Sequence, residues 1–297
     1  MTICKFAVVH GIGVPSLSKH VRHQHPPLPG EKTIRESISK MELLIICLTA
    51  FLTAILTFFS GFGLGTILSP VFMLFFPPGL SIALTGIVHF FNNLFKLFLT
   101  ARNADKPVLI RFGVPAVAAA FIGSFILLQI QDLPELFSYS IGNKIITVFP
   151  LPFTVGLLMF LFVLADVFPI TEKLAGARKN LVLGGALSGF FGGLSGHQGA
   201  LRSAFLVKAG LSKERFIGTA VVVSTFVDMT RLGIYFSGFR DFQVSDYMHV
   251  LVPATLSAIS GAYIGNKLLK KVTIGFIQVC VTILLMAVSL ALTFGLI

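Results

Sequence analysis

From Met41 onward the chain is a succession of apolar runs near 20 residues long, separated by short polar or basic joints. A helix of about that length crosses a bilayer core of roughly 30 Å. The runs lack the strict alternation of barrel strands, so helices are predicted. Uninterrupted runs lie at about 80–101, 107–131, 144–168, 212–236, 247–268 and 272–296. Two others are broken. The first is apolar from Glu42 to Ser60 and is interrupted by SGFGLGTILSP (60–70), with Gly61, Gly63, Gly65 and Pro70. It resumes to Phe76 and ends at Pro77-Pro78-Gly79. The second runs from Asn180 to Ala209 and holds SGFFGGLSGHQGALRS (188–203), with Gly189, Gly192, Gly193, Gly196 and Gly199 ahead of Arg202.

In hydrocarbon a freed backbone N–H or C=O has no water to bond, so a broken helix survives only where protein or an aqueous cavity receives it. Each glycine costs a helix about 1 kcal/mol against alanine. An arginine in the bilayer costs about 2.5–3.5 kcal/mol unless it faces a partner. The economical reading of 188–203 is therefore a broken membrane helix lining a polar site. A plainer reading, a small-residue face for a neighbouring helix, stays open for the glycines and is weaker for Arg202.

The broken elements align as copies. SGFGLG at 60 matches SGFFGG at 188, Gly79-Leu80-Ser81 matches Gly210-Leu211-Ser212, Val114-Pro115-Ala116 matches Val252-Pro253-Ala254, and Gly123 matches Gly261. Basic joints orient the copies, since cytoplasmic loops collect Lys and Arg. Arg102, Lys106 and Arg111 belong inside, as do Lys173, Arg178 and Lys179, and Lys267, Lys270 and Lys271; Asp132 and Glu135 belong outside. The 80–101 run then heads inward. Its counterpart at 212–236 starts beside Lys208, Lys213 and Arg215 and heads outward. Tyr139, Tyr235 and Tyr247 fall at outer ends, where interfacial anchors sit. The 180–209 element begins and ends in the cytoplasm, as a hairpin bent at its glycines. The first hairpin carries a conflict: symmetry starts it outside, and the basic arm before it favours the cytoplasm. The expected fold is an all-α polytopic membrane protein with an inverted repeat, about 42–168 and about 179–296. Each half is a glycine-broken hairpin plus about three transmembrane helices, in one transporter domain (41–297) behind a disordered basic arm (1–40).

Composition narrows the class. With 55% hydrophobic and 12% charged residues and a mean hydropathy of +0.91, the chain has about half the charge of a soluble domain. The net charge of +11 raises nucleic acid as a partner, but the basic residues sit at the ends of apolar runs, so no nucleic acid is expected. His20, His23 and His25 lie beside the Pro-rich HQHPPLPG without Cys or acidic neighbours, which reads as a solvated tail rather than a metal site. Cys4, Cys47 and Cys280 are too few and too scattered for a disulfide framework or zinc. No nucleotide loop is present, so no cofactor is expected and transport by this chain is secondary.

Broken helices in inverted repeats hold transporter substrates where half-helix ends meet near the midplane. The second limbs, from about Gly65 and Gly196, would aim positive dipole ends and free N–H groups at that centre. Arg202 adds a full charge whose fork suits an oxyanion, and Ser195, His197 and Gln198 at the bend are expected to donate hydrogen bonds. On the flanking helices His89, Asn92, Asn93 and Lys96 share one face, and so do Ser224, Thr225, Asp228 and Arg231. The repeat alignment sets Lys96 opposite Asp228 as a gating or charge-balancing pair. The alternative is that Asp228 and Arg231, one turn apart, neutralise each other, with Arg231 near the outer end.

The blocks GLSGHQGALRSAFLVKAGLSKERFIGTAVVVSTFVDMTRLGIYF (193–236) and SGFGLGTILSPVFMLFFPPGLSIALTG (60–86) resemble the sulfite exporter TauE/SafE family over about 42–296. The resemblance implies a multi-pass bacterial inner-membrane permease, not an enzyme, that exports sulfite, organosulfonates or related sulfur anions. On that reading Arg202 is the main charge contact, and Asn92, Asn93, His197, Gln198, Ser195 and Thr225 contact the substrate. Lys96, Asp228, His89 and Arg231 balance charge or gate. The expected partners are a small anion and the bilayer, with a homodimer as an assembly to consider. One rival is an intramembrane serine protease, since Gly193-Leu194-Ser195-Gly196 fits a GxSG pattern and His89 with Asn93 mimics its oxyanion element; it needs a histidine base on Ser195. The other, a cation or metal permease, wants buried carboxylates, and the spans hold essentially Asp166 and Asp228.

Overall fold

The structure, a computed structural model, describes residues 38–60, 64–142, 144–168, 180–238, 243–268 and 275–297. Most of the basic arm with its histidines, Gly61 and Gly63 of the first break, and the basic joints at 173–179 and 270–271 lie outside the described residues. The first helix, α1 (Lys40–Ser60), begins at a reciprocal cap in which Ser39 N–H donates to Glu42 Oε2 (2.9 Å) and Glu42 N–H to Ser39 Oγ (3.2 Å). A short α2 (Leu64–Met73) follows the break, and α3 (Pro78–Thr100) starts on a proline at its first position, where the missing N–H costs nothing. A π turn (Leu109–Gly113) leads into α4 (Val114–Gln131), the two together with Lys106–Val108 forming one 26-residue apolar span.

The 144–168 run is corrected at its start. Residues 137–148 form a β-hairpin, β1 (Phe137–Ile141) antiparallel to β2 (Lys144–Val148), closed at Gly142 with φ +59°. The β-branched run Ile145 to Val148 favours strand, and Pro150 then opens α5 (Pro150–Val167). The class remains helical. The rest comprises α6 (Leu181–Ser195), α7 (Gly199–Val207), α8 (Lys213–Gly238), α9 (Met248–Leu268) and α10 (Gly275–Thr293).

Five helical spans among the described residues are long and apolar enough to cross a membrane, at 40–57, 78–103, 106–131, 213–238 and 244–267. The first hairpin limb α1 has 21 residues, whereas its counterpart α6 has 15. The spans at 78–103 and 213–238 are 61% and 72% buried, against 28–39% for the other three, so α3 and α8 form the centre. Side chains such as Leu48 and Leu52 on α1, Phe121 and Phe125 on α4 and Leu256 on α9 face outward, as lipid contact requires.

Close helix-on-helix packing explains six of the glycines. On α6, side chains at Gly185, Gly189 and Gly193 would run into the carbonyls of Phe112, Ala116 and Ala120, and one at Gly123 of α4 into that of Phe190. On α9, Gly261 and Gly265 press on the backbone of α1 at Phe51 and Ile55. This corrects the expectation of a bend spread over the cluster. Gly189, Gly192 and Gly193 are helical, and the small-residue face and the broken helix are both present, in successive parts of one element. The remaining packing sets α3 along α8, α5 along α10, α4 on α8 and α3 on α9.

Candidate functional site

α3 and α8 bury against each other the polar faces that their periodicity predicts. His89, Asn92, Asn93 and Lys96 are at most 5% exposed, and Asp228 and Arg231 at most 1%. Asp228 is the hub. His89 Nδ1 lies 2.6 Å from Oδ2, and Asn93 Nδ2 donates to Oδ2 at 3.0 Å and stands 3.0 Å from Ser224 Oγ. Gln198 Nε2 donates to Oδ1 (3.2 Å), as does Arg231 Nε (3.0 Å), with Arg231 Nη2 at 2.9 Å. A carboxylate offers about four lone-pair positions, and these donors fill them. Beside the expected Lys96–Asp228 pairing, the groups on α3 that meet Asp228 are His89 and, one turn on, Asn93. Arg231 sits in this buried centre rather than at an outer end. Lys96 and Arg202 are buried as well, at 5% and 4% exposure.

The second hairpin meets this hub at its bend. α6 ends at Gly196, whose φ of +80° puts it in the left-handed region, and its N–H caps Gly192 O (3.0 Å). Ser188 Oγ donates to Gln198 O (3.1 Å), tying the two limbs together. A Cβ on Gly196 would lie 2.9 Å from Arg231 Nη1. A left-handed non-glycine residue costs about 1–2 kcal/mol, so Gly196→Ala is expected to lower stability by at least that much. Thermal unfolding of the detergent-solubilised protein reads it.

The first hairpin arrives at the same point. A Cβ on Gly65, in the first turn of α2, would lie 3.4 Å from Gly196 O and 3.9 Å from His89 Cδ2. The first turn of α2 thus meets the bend of the second hairpin beside His89. Arg202, in the first turn of α7, is 4% exposed. Lys96, Arg202 and Arg231 against Asp228 give three buried cations to one buried anion among the described residues.

Several side chains differ in role from their sequence reading. The bend was expected to donate, yet its donors are spent internally: Ser195 Oγ–H on Phe191 O (3.0 Å), the His197 Nδ1 hydrogen on Ser195 O (2.9 Å) and Gln198 Nε2 on Asp228. His197 Nε2 and Gln198 Oε1 are buried without partners, and both amide atoms of Asn92 are too. Thr225 Oγ1 bonds back to Val221 O (2.9 Å). Tyr235, expected as an interfacial anchor, is fully buried and its hydroxyl donates to Gly193 O. It stands one turn beyond Arg231 on the face of Asp228, and that spacing was the signal that could have found it.

The rival readings find no support. Ser195 Oγ bonds a carbonyl, and the nearest histidine by sequence, His197, bonds the Ser195 carbonyl instead of its hydroxyl. Among the described residues no three His, Cys, Asp or Glu side chains gather as metal ligands.

The family model described as sulfite exporter TauE/SafE matches residues 46–292. No curated protein and no solved structure matches the chain.

Proposed function

The chain belongs to the sulfite exporter TauE/SafE family, membrane transporters of sulfite and related sulfur anions rather than enzymes, and from that premise we propose that it exports a small sulfur oxyanion bound where the start of α2 meets the bend between α6 and α7. The observation that carries the reading is the convergence of Gly65 and Gly196 on a buried cluster with more positive than negative charge. The first turns of α2 and α7, which bring Thr66 and Ala200 to one cleft, add the partial positive charge of helix starts there. An anion entering there offsets both.

The packing supports an inverted repeat as the scaffold. Shifting every helix label by five maps α1 on α9 onto α6 on α4, α3 on α9 onto α8 on α4, and α2 on α3 onto α7 on α8. The pairs α3 with α8 and α5 with α10 map onto themselves. A twofold relation between halves requires this reciprocity. The aligned glycines Gly123 and Gly261 each press on the first limb of the other half's hairpin. On this scaffold Arg202 contacts the anion, Asn92 supplies an amide, and the His89–Asp228 pair is the group through which a proton gradient would act. The membrane is the inner membrane of a bacterium.

Flux into proteoliposomes, compared across sulfite, sulfate, thiosulfate, sulfoacetate and taurine with and without a pH gradient, is the test. Arg202→Ala is expected to cut sulfite flux roughly 10- to 100-fold, in line with the about 1.5–3 kcal/mol of a hydrogen bond to a charged group, while Ser195→Ala keeps it. Equal flux in Arg202→Ala and the parent protein would remove the assignment.

A further inference from the structure

The bend between α6 and α7 borders a narrow cleft whose walls include Met159, Phe162 and Val163 of α5 and Leu285 of α10. Thr66 and Ala200 complete it from the first turns of α2 and α7. His197 lines the cleft while only 3% exposed, with its ring within 14° of parallel to that of Phe162 and 6.3 Å from it. Apart from His197 and Thr66, those side chains are apolar. The cleft therefore offers an anion two half-helix starts, a dry wall, and the far nitrogen of one imidazole.

What that nitrogen can do follows from its partner on the other side of the ring. Nδ1 lies 2.9 Å from the Ser195 carbonyl, which only accepts, so Nδ1 carries the hydrogen. In the neutral ring Nε2 is then an acceptor, and it is buried without a partner. The same accounting applies one residue on. Gln198 must turn its amide nitrogen to the Asp228 carboxylate (3.2 Å), which leaves Oε1 as a second buried acceptor without a partner. A buried polar atom left unmatched disfavours whatever complex leaves it so. An oxyanion whose surface is all acceptors, such as sulfate or fully ionised sulfite, sets oxygen lone pairs against Nε2. One that bears an O–H or N–H satisfies it.

We propose that this cleft selects sulfur oxyanions that carry a hydrogen-bond donor, with His197 Nε2 as the accepting atom. The inference rests on the transport reading above and sharpens it from sulfur anions in general to a protonated or donor-bearing subset. The donor has two sources: the oxyanion head, as in hydrogensulfite, or the tail of a short organosulfonate carrying hydroxyl or ammonium.

The test is competition against labelled sulfite in proteoliposomes of the full-length protein. In the tail arm, 2-hydroxyethanesulfonate is set against ethanesulfonate, which differs by one hydroxyl. In the head arm, sulfite flux is compared below and above the pH at which hydrogensulfite loses its proton. The parent protein is expected to prefer the donor-bearing species by about tenfold in one arm, since a site built around a hydrogen bond rejects the analogue that lacks it. The arm that shows the preference locates the donor. His197→Phe is expected to abolish the preference, and His197→Gln, which keeps an acceptor, to retain part of it. Equal competition by donor-bearing and donor-free species in both arms of the parent protein overturns the inference, whether or not the variants fold. If sulfur anions are moved without preference, only this inference falls; if none is moved, the transport reading falls and takes it along.

Discussion

Asp228→Ala is expected to lower stability by about 3–5 kcal/mol, the cost of leaving a buried charge without its counter-charge, and to abolish transport. Asp228 is fully buried and accepts from His89, Asn93, Gln198 and Arg231. Removing it strands the Arg231 guanidinium in a site that holds Lys96 and Arg202 as well. It also cuts the tie that Gln198 makes between the hairpin bend and α8. Arg231→Leu alone strands the carboxylate, though His89, Asn93 and Gln198 still serve it, so a smaller loss is expected. The double variant Asp228→Ala with Arg231→Leu should recover part of the first loss, because two opposite buried charges leave together. Melting temperatures of the four proteins in detergent close the cycle. Strict additivity would show that the pair does not act as a unit.

The second large effect lies away from the charged centre. A Cβ on Gly189 would overlap the Ala116 carbonyl of α4, with Gly185 and Gly193 in the same condition one turn to either side. Backbone against backbone cannot repack as a side chain does. Gly189→Ala is therefore expected to cost about 1–3 kcal/mol, the usual range for overpacking, and Gly189→Val to yield no monodisperse protein. Gly233 of α8 is the control. A Cβ there meets nothing within 4 Å, so Gly233→Ala is expected to be neutral or to stabilise by up to about 1 kcal/mol through helix propensity. Size-exclusion yield and thermal unfolding of the three variants separate packing from propensity.

Long apolar runs announced the helices, and four-residue spacing announced the polar faces of α3 and α8, because both signals are local. Register between helices is not local. The repeat alignment placed α3 opposite α8 and named Lys96 for Asp228; the way the two helices pack also brings His89 and Asn93 to the carboxylate. Glycine is equally ambiguous in one dimension. Gly196 is needed for a left-handed turn and Gly189 for a close helix contact, and nothing in the letters distinguishes the two demands. The second strand of the β-hairpin, Lys144–Val148, was hidden inside an apolar run, although Ile145, Ile146, Thr147, Val148 and Pro150 carry its signal. The polarity of the bend could not be read because it depends on which donors the fold itself consumes. Ser195, His197 and Gln198 look like donors by type and leave acceptors once folded.

A density map of the protein in lipid nanodiscs with saturating sulfite, differenced against one without it, tests the meeting of the first turns of α2 and α7 as an anion site. The account predicts one non-protein peak bounded by the first turns of α2 and α7, beside His197 and within reach of Arg202. A peak elsewhere, or first turns of α2 and α7 that stand apart with no ligand between them, would contradict it.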